Sequence, residues 1–269
     1  MTAAALIFLG VAIVSAFVAF PYLRERQVLK KPFPENWLLI VKHRLPFFDK
    51  FEETKKEQLL NSIKLFLVRK NFYGCAGLEI NDEMRVTIAA EACLLLLNRK
   101  TDIYPGLKHI LVYPHAFKAQ HQQLNPDGTI SEMEHGLLGE SWGNGKVILS
   151  WDDVEFGVEN FKDGHNVVLH EFSHQLDNES GVTNGAPVLR KNSYQTWATV
   201  LSGEFQNLIE ASDNHHKAVM DYYGATNPAE FFAVATETFF EKPKQMSKRH
   251  PELFEELRTY YCVDPRKWQ

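Results

Sequence analysis

Residues 170–174 read His-Glu-Phe-Ser-His, and this H-E-x-x-H pattern constrains the chain more than any other stretch. On a helix, positions four apart share a face, so His170 and His174 present two imidazoles to one ion. Glu171 beside them can take a proton from a water on that ion. The flanks favour a helix. Val167, Val168, Leu169, Phe172 and Leu176 give it an apolar surface, and no proline falls in residues 161 to 179. Asp163 is a candidate cap at its start and Asn178 lies near its expected end. The bland alternative is a partly buried helix with two histidines and an exposed glutamate.

The 269 residues are 45% hydrophobic and 23% charged, enough for one sizeable core or two small ones. The net charge of -5 lacks the basic excess of a nucleic-acid binder, so no direct nucleic-acid partner is expected. Cys75, Cys93 and Cys262 lie far apart and form neither a disulfide framework nor a C-x-x-C metal pair.

The N-terminus has a different character. Ala3 to Phe20 is apolar or small throughout, with Gly10 and Ser15 as mild exceptions. At helical rise it covers about 27 Å, the depth of a bilayer core. Arg24, Arg26, Lys30 and Lys31 follow it and no charge precedes it. The positive-inside rule then predicts a single-pass inner-membrane anchor over residues 1–31 with its basic flank, and a cytoplasmic domain over residues 32–269. A cleaved signal would want a basic start and a shorter apolar core.

Lys31-Pro32-Phe33-Pro34 reads as a stiff linker. Trp37 to Phe51 reads as an entry segment packed on the domain. Thr54 to Glu57 has the form of a capping box opening an amphipathic helix that runs to about Arg69. Leu78 to Ile80 reads as a short strand, and Asp82 as the cap of a central helix reaching Leu97. Ile110 to Tyr113 and Lys146 to Trp151 read as strands, with a turn at Asn125 to Gly128 between them. The expected architecture is α+β: a mainly helical domain with a small sheet just before the H-E-x-x-H helix. An extended peptide can join such a sheet where it has an open edge, and Val147 to Trp151 is a candidate edge.

A catalytic zinc (Zn2+) site wants a third protein ligand and leaves a fourth position for water. Several residues compete. Asp177 lies three residues after His174, as a ligand or as an orienter of an imidazole. His215 and His216 follow in a polar stretch. Glu230 sits in Asn227-Pro228-Ala229-Glu230, where Asn227 reads as a cap, Pro228 as the first helical residue and Glu230 as a capping-box acid. Glu237, seven residues on, shares its face.

His-Glu-Phe-Ser-His-Gln-Leu-Asp, followed by Tyr223 and then Glu230 within Asp-Tyr-Tyr-Gly-Ala-Thr-Asn-Pro-Ala-Glu-Phe-Phe-Ala-Val, resembles the Mlc titration factor A family of bacterial zinc peptidases. The resemblance runs from about residue 50 to the C-terminus and takes in Val112 to Pro114, Ser141-Trp142, Ile148 to Trp151 and Asp264-Pro265. The Tyr-to-Glu spacing is also similar to that of the catalytic domain of anthrax lethal factor. The resemblance implies a zincin-like metallopeptidase with zinc ligands His170, His174 and Glu230. It implies Glu171 as general base and Tyr223 as hydrogen-bond donor to the oxyanion. It further implies aminopeptidase-type cleavage of short peptides, and a transcriptional repressor of sugar uptake as a protein partner besides peptide substrates. The rival expectations are a membrane-tethered regulatory protein that sequesters a partner through a vestigial zinc site, and a zinc hydrolase acting on another amide. An intact Glu171 argues against the first, because a metal clip has no use for the base.

Overall fold

The computed structural model describes residues 19–99, 101–124, 130–137, 139–142 and 145–268. Helices dominate it, and a small sheet lies among them. In chain order the main elements are α1 (Glu35–Arg44), α2 (Glu53–Arg69), β1 (Asn71–Gly74), α3 (Asp82–Leu94), β2 (His109–Tyr113), β3 (Phe117–Leu124), β4 (Ile130–Leu137), β5 (Gly139–Trp142) and β6 (Lys146–Ser150). They continue with α4 (Trp151–Glu159), α5 (Val167–Asp177), α6 (Tyr194–Asp213), α7 (Pro228–Glu241), α8 (Pro243–Arg249) and α9 (Pro251–Tyr261).

The sheet order is β1-β2-β6-β5. The first three strands are parallel, with Phe72 opposite Ile110 and Ile110 opposite Val147. β5 runs antiparallel to β6, setting Trp142 opposite Lys146, while β3 and β4 form a separate hairpin. The parallel β1-α3-β2 crossover makes α3 the central helix: from Val86 to Leu94 every residue is buried. Gly145 enters β6 at φ +68°, and a Cβ there would stand 2.8 Å from the Gly106 carbonyl oxygen, so glycine alone lets the two loops approach.

The local expectations hold unevenly. The cap of α3 is Asn81, whose side chain accepts from the Met84 N–H, and Asp82 is the first helical residue. The cap of α2 is Glu52, with no side-chain cap bond, so Thr54 falls inside the first turn. Leu78 to Ile80 is not a strand; the strand is Asn71–Gly74. Lys146 to Trp151 divides at Ser150, whose hydroxyl accepts from the Asp153 N–H and starts α4 with Trp151. β6 is paired on both sides, so Val147 to Trp151 is not the sheet edge; β5 is the outer strand there, and it lies against α5.

The apolar run expected as a membrane anchor lies, through residue 18, outside the described residues. Among the described residues no helix is long and apolar enough to cross a membrane. Residues 19 to 30 are helical and fastened to the domain. Arg69 grips Glu25 through two nitrogens at 2.7 and 2.8 Å, and the Lys64 ammonium donates to the carbonyls of Leu29 and Lys31.

Candidate metal centre

α5 begins one turn later than the sequence suggests. Its cap is Asn166, whose Oδ1 accepts from the Leu169 N–H at 2.9 Å, whereas Asp163 accepts from the His165 N–H in the preceding turn. Leu169, Phe172 and Leu176 are fully buried. The Phe172 ring stands 4.9 Å from that of Tyr104 and 5.7 Å from that of Phe66. This packing fixes the rotation of the helix, so His170 and His174 are presented together on another face.

α7 supplies the facing carboxylates. Asn227 caps it, accepting from the N–H groups of Ala229 and Glu230 at 3.0 and 3.1 Å, with Pro228 in the first turn. Glu230 therefore sits in the capped first turn with its side chain turned to the imidazoles. Its Oε2 is 2.9 Å from His170 Nε2 and 3.5 Å from His174 Nε2, and the two Nε2 atoms are 3.3 Å apart. Among the described residues, His170, His174 and Glu230 form the one group of three or more such side chains with ligand atoms all within 4.8 Å. Two imidazole nitrogens and a carboxylate oxygen meeting at one point suit zinc and other first-row divalent ions.

Glu237, a competing third ligand in the sequence, stands behind His170 instead. Its Oε1 lies 2.7 Å from His170 Nδ1, and its Oε2 accepts the Asn166 N–H at 2.5 Å. A carboxylate at Nδ1 holds the proton there and leaves Nε2 as the donor towards a metal. Asp177 is buried, and its Oδ2 accepts the Gly185 N–H at 2.7 Å, which ties the loop after α5 to the helix. His215 and His216 are exposed at the end of α6 and belong to no such group. His165 is also on the surface, 3.7 Å from Asp221.

Electrostatics separate the two site glutamates. Burial pushes the Glu171 carboxyl up, against the pull of His170 and His174, and its Oε2 has no hydrogen-bond partner among the described residues. Burial acts the same way on Glu230, but hydrogen bonds from His170 and His174 outweigh it and hold that carboxyl far below the usual range. Two carboxylates within one site are thus driven in opposite directions.

Tyr223 lies in the turn Tyr222–Ala225, whose cap Asp221 accepts the Tyr223 N–H at 2.7 Å. Its ring centroid is 5.9 Å from that of His170. Tyr222 is turned away, its hydroxyl donating to the His216 carbonyl. Burial, with the charges of Glu230 and Glu171, pushes the Tyr223 phenol up to about 12, so it remains a donor near neutrality. A cavity of about 530 Å³ opens beside these groups, and its wall includes His170, Glu171, Tyr223, Asp153, Phe156 and Asp221. Asp153 and Phe156 are not marked by the sequence, because nothing local makes α4 a neighbour of the site; Asp221 stands in the Asp-Tyr-Tyr motif, as the cap of the Tyr223 turn.

Residues 20–262 match the family described as Glucose-regulated metallo-peptidase M90. The chain is 44% identical over 245 residues to the "Uncharacterized protein slr2042" of Synechocystis sp. (strain ATCC 27184 / PCC 6803 / Kazusa), covering 90% of this chain and 89% of that protein. It is 29% identical over 224 residues to Mlc titration factor A of Serratia proteamaculans (strain 568), covering 82% and 85%. Mlc titration factor A of Escherichia coli O7:K1 (strain IAI39 / ExPEC) is 28% identical over 224 residues, covering 82% and 84%. The chain belongs to this metallopeptidase family.

Proposed function

We propose that the chain is a zinc-dependent peptidase in which His170, His174 and Glu230 hold the ion, Glu171 is the general base and Tyr223 stabilises the oxyanion. The observation that carries this reading is the meeting of three ligand atoms within 4.8 Å beside a buried carboxylate with an unpartnered oxygen. When bound, zinc supplies a Lewis acid that polarises a peptide carbonyl and acidifies water.

The remaining work falls to the protein. Glu171 takes the proton of the attacking water and delivers it to the leaving amine, a role that a raised pKa serves. The Tyr223 hydroxyl donates to the carbonyl oxygen as it gains charge. Glu237 keeps His170 in one tautomer throughout.

Cleavage of the aminopeptidase type extends this reading through the family resemblance. The relatives named Mlc titration factor A support a functional link to the Mlc protein of that name. Placement at the inner membrane rests on the apolar run from Ala3 to Phe20 and the basic residues after it.

The test is metal content together with peptide hydrolysis for the wild type, Glu230→Ala and Glu237→Ala. One zinc per chain, lost with activity in Glu230→Ala, is the expected result. Zinc held at full affinity by Glu230→Ala would remove that residue from the ligand set. A wild type that binds no zinc would remove the peptidase reading.

A further inference from the structure

The cavity beside the metal-facing side chains combines an apolar wall with carboxylates in an arrangement that metal binding does not require. Phe156, Val167 and Val234 contribute apolar surface, and Asp153 and Asp221 contribute charge. No lysine or arginine is among the described residues of the wall.

Asp153 enters from the first turn of α4, its N–H bound to the Ser150 hydroxyl. Its Oδ2 is shielded from solvent and has no hydrogen-bond partner among the described residues. Asp221 uses Oδ1 on the Tyr223 N–H; its Oδ2 is 3.7 Å from His165 Nε2, beyond hydrogen-bond length. Phe156 is 60% exposed, an apolar surface that a bound chain would cover.

We propose that this cavity selects a lysine or arginine side chain next to the scissile bond, a specificity that rests on the peptidase reading above. The methylene stem lies on Phe156, Val167 and Val234, and the cationic head reaches Asp153 and Asp221. A free N-terminal ammonium has the same charge but no stem, and would leave the apolar wall bare.

The experiment uses the zinc-loaded full chain and a peptide series varied only beside the scissile bond: lysine, arginine, norleucine or glutamate. Each peptide is made with a free and an acetylated N-terminus. Cleavage of the free lysine and arginine peptides should exceed that of norleucine by about tenfold or more in kcat/KM, and the same order should hold in binding of the acetylated peptides. Asp153→Asn should bring that ratio close to one, and Asp153→Lys should shift it towards glutamate. Asp221→Asn, whose amide oxygen can still cap the Tyr223 turn, should lower the ratio as well.

Binding of the same labelled peptides to Glu171→Gln, read by fluorescence anisotropy, gives the order without turnover. Equal treatment of lysine and norleucine by the wild type overturns the proposal. So does a lysine preference that survives both asparagine variants, or a binding preference that acetylation abolishes, which would assign the carboxylates to the N-terminus. If no peptide is cleaved faster than by Glu171→Gln, the peptidase reading fails, and the anisotropy order alone decides the specificity.

Discussion

His170 Nδ1 stands 2.7 Å from Glu237 Oε1, and the other oxygen of the same carboxylate receives the Asn166 N–H at 2.5 Å. One side chain on α7 thus sets the tautomer of a metal-facing imidazole and also holds the residue that caps that imidazole's helix. Glu230, two turns earlier on α7, faces the same imidazole from its Nε2 side. His170 is therefore held between two carboxylates of one helix, and the α5–α7 packing is what brings His170, His174 and Glu230 together.

Removing the charge at Glu237 should loosen the metal without removing a ligand. For Glu237→Gln, zinc affinity is expected to fall by about 10- to 100-fold, as for other partners of ligating histidines. Glu230→Ala should lose more. Chelator competition on both variants measures this. Equal affinity of Glu237→Gln and wild type would reduce the Glu237 contact to packing.

Glu171 should separate binding from chemistry. Glu171→Gln keeps the side chain's shape and loses the base, so zinc content should be unchanged while hydrolysis falls by about 10²–10⁴-fold. Metal analysis and rates on one preparation decide it. A variant with near wild-type turnover would place the base elsewhere.

How much of this was legible in the sequence depended on range. His170 and His174 lie one helical turn apart, and the Asn227-Pro228 start of α7 is a local signal; both appear where the residue pattern puts them. Caps were harder. Asp163 and Asn166 are equally good capping residues, and the Glu237 contact from 71 residues away distinguishes them. The residue pattern alone leaves the roles of Glu230 and Glu237 open for the same reason, and only the family resemblance favours Glu230: the two share a helix face, and the rotation of α5 decides which meets Nε2. The strand Lys146 to Trp151 ran one residue long because Trp151 suits a strand by propensity, whereas the Ser150 hydroxyl starts a helix. That β6 is interior and β5 is the outer strand is a matter of topology, which residue pattern alone does not carry.

Phe172, within the H-E-x-x-H stretch, should matter for folding more than for chemistry. It is fully buried against Tyr104 and Phe66. Phe172→Ala should cost about 3–5 kcal/mol in urea unfolding. A loss under about 1 kcal/mol would mean that the helix finds an alternative seat.

Tyr223→Phe removes a hydroxyl without emptying the site. Turnover should drop by about 10²–10³-fold with zinc content unchanged, the size expected for one lost oxyanion donor. Retained activity in Tyr223→Phe would leave the oxyanion to other donors.

Glu91 supplies a pH test remote from the chemistry. It lies on α3, fully buried, and neither carboxylate oxygen has a hydrogen-bond partner among the described residues. Burial pushes its carboxyl up to about 8, against the opposing pull of Arg44 and Asn166. The unfolded chain releases this proton near 4.5, so between 4.5 and 8 the folded state holds a proton that the unfolded state lacks. The sign follows from linkage: the contribution is fully present below 4.5 and is lost as pH rises towards 8. Glu241, pushed up to about 9 chiefly by burial, acts in the same direction. Stability should therefore fall from pH 5 to 8, with Glu91 contributing at most about 1.4 kcal/mol per pH unit. Glu91→Gln keeps the volume and cannot ionise, so its urea midpoint should depend less on pH than that of the wild type, with the gap closing below pH 5. Parallel curves for the two proteins would mean that Glu91 titrates alike folded and unfolded.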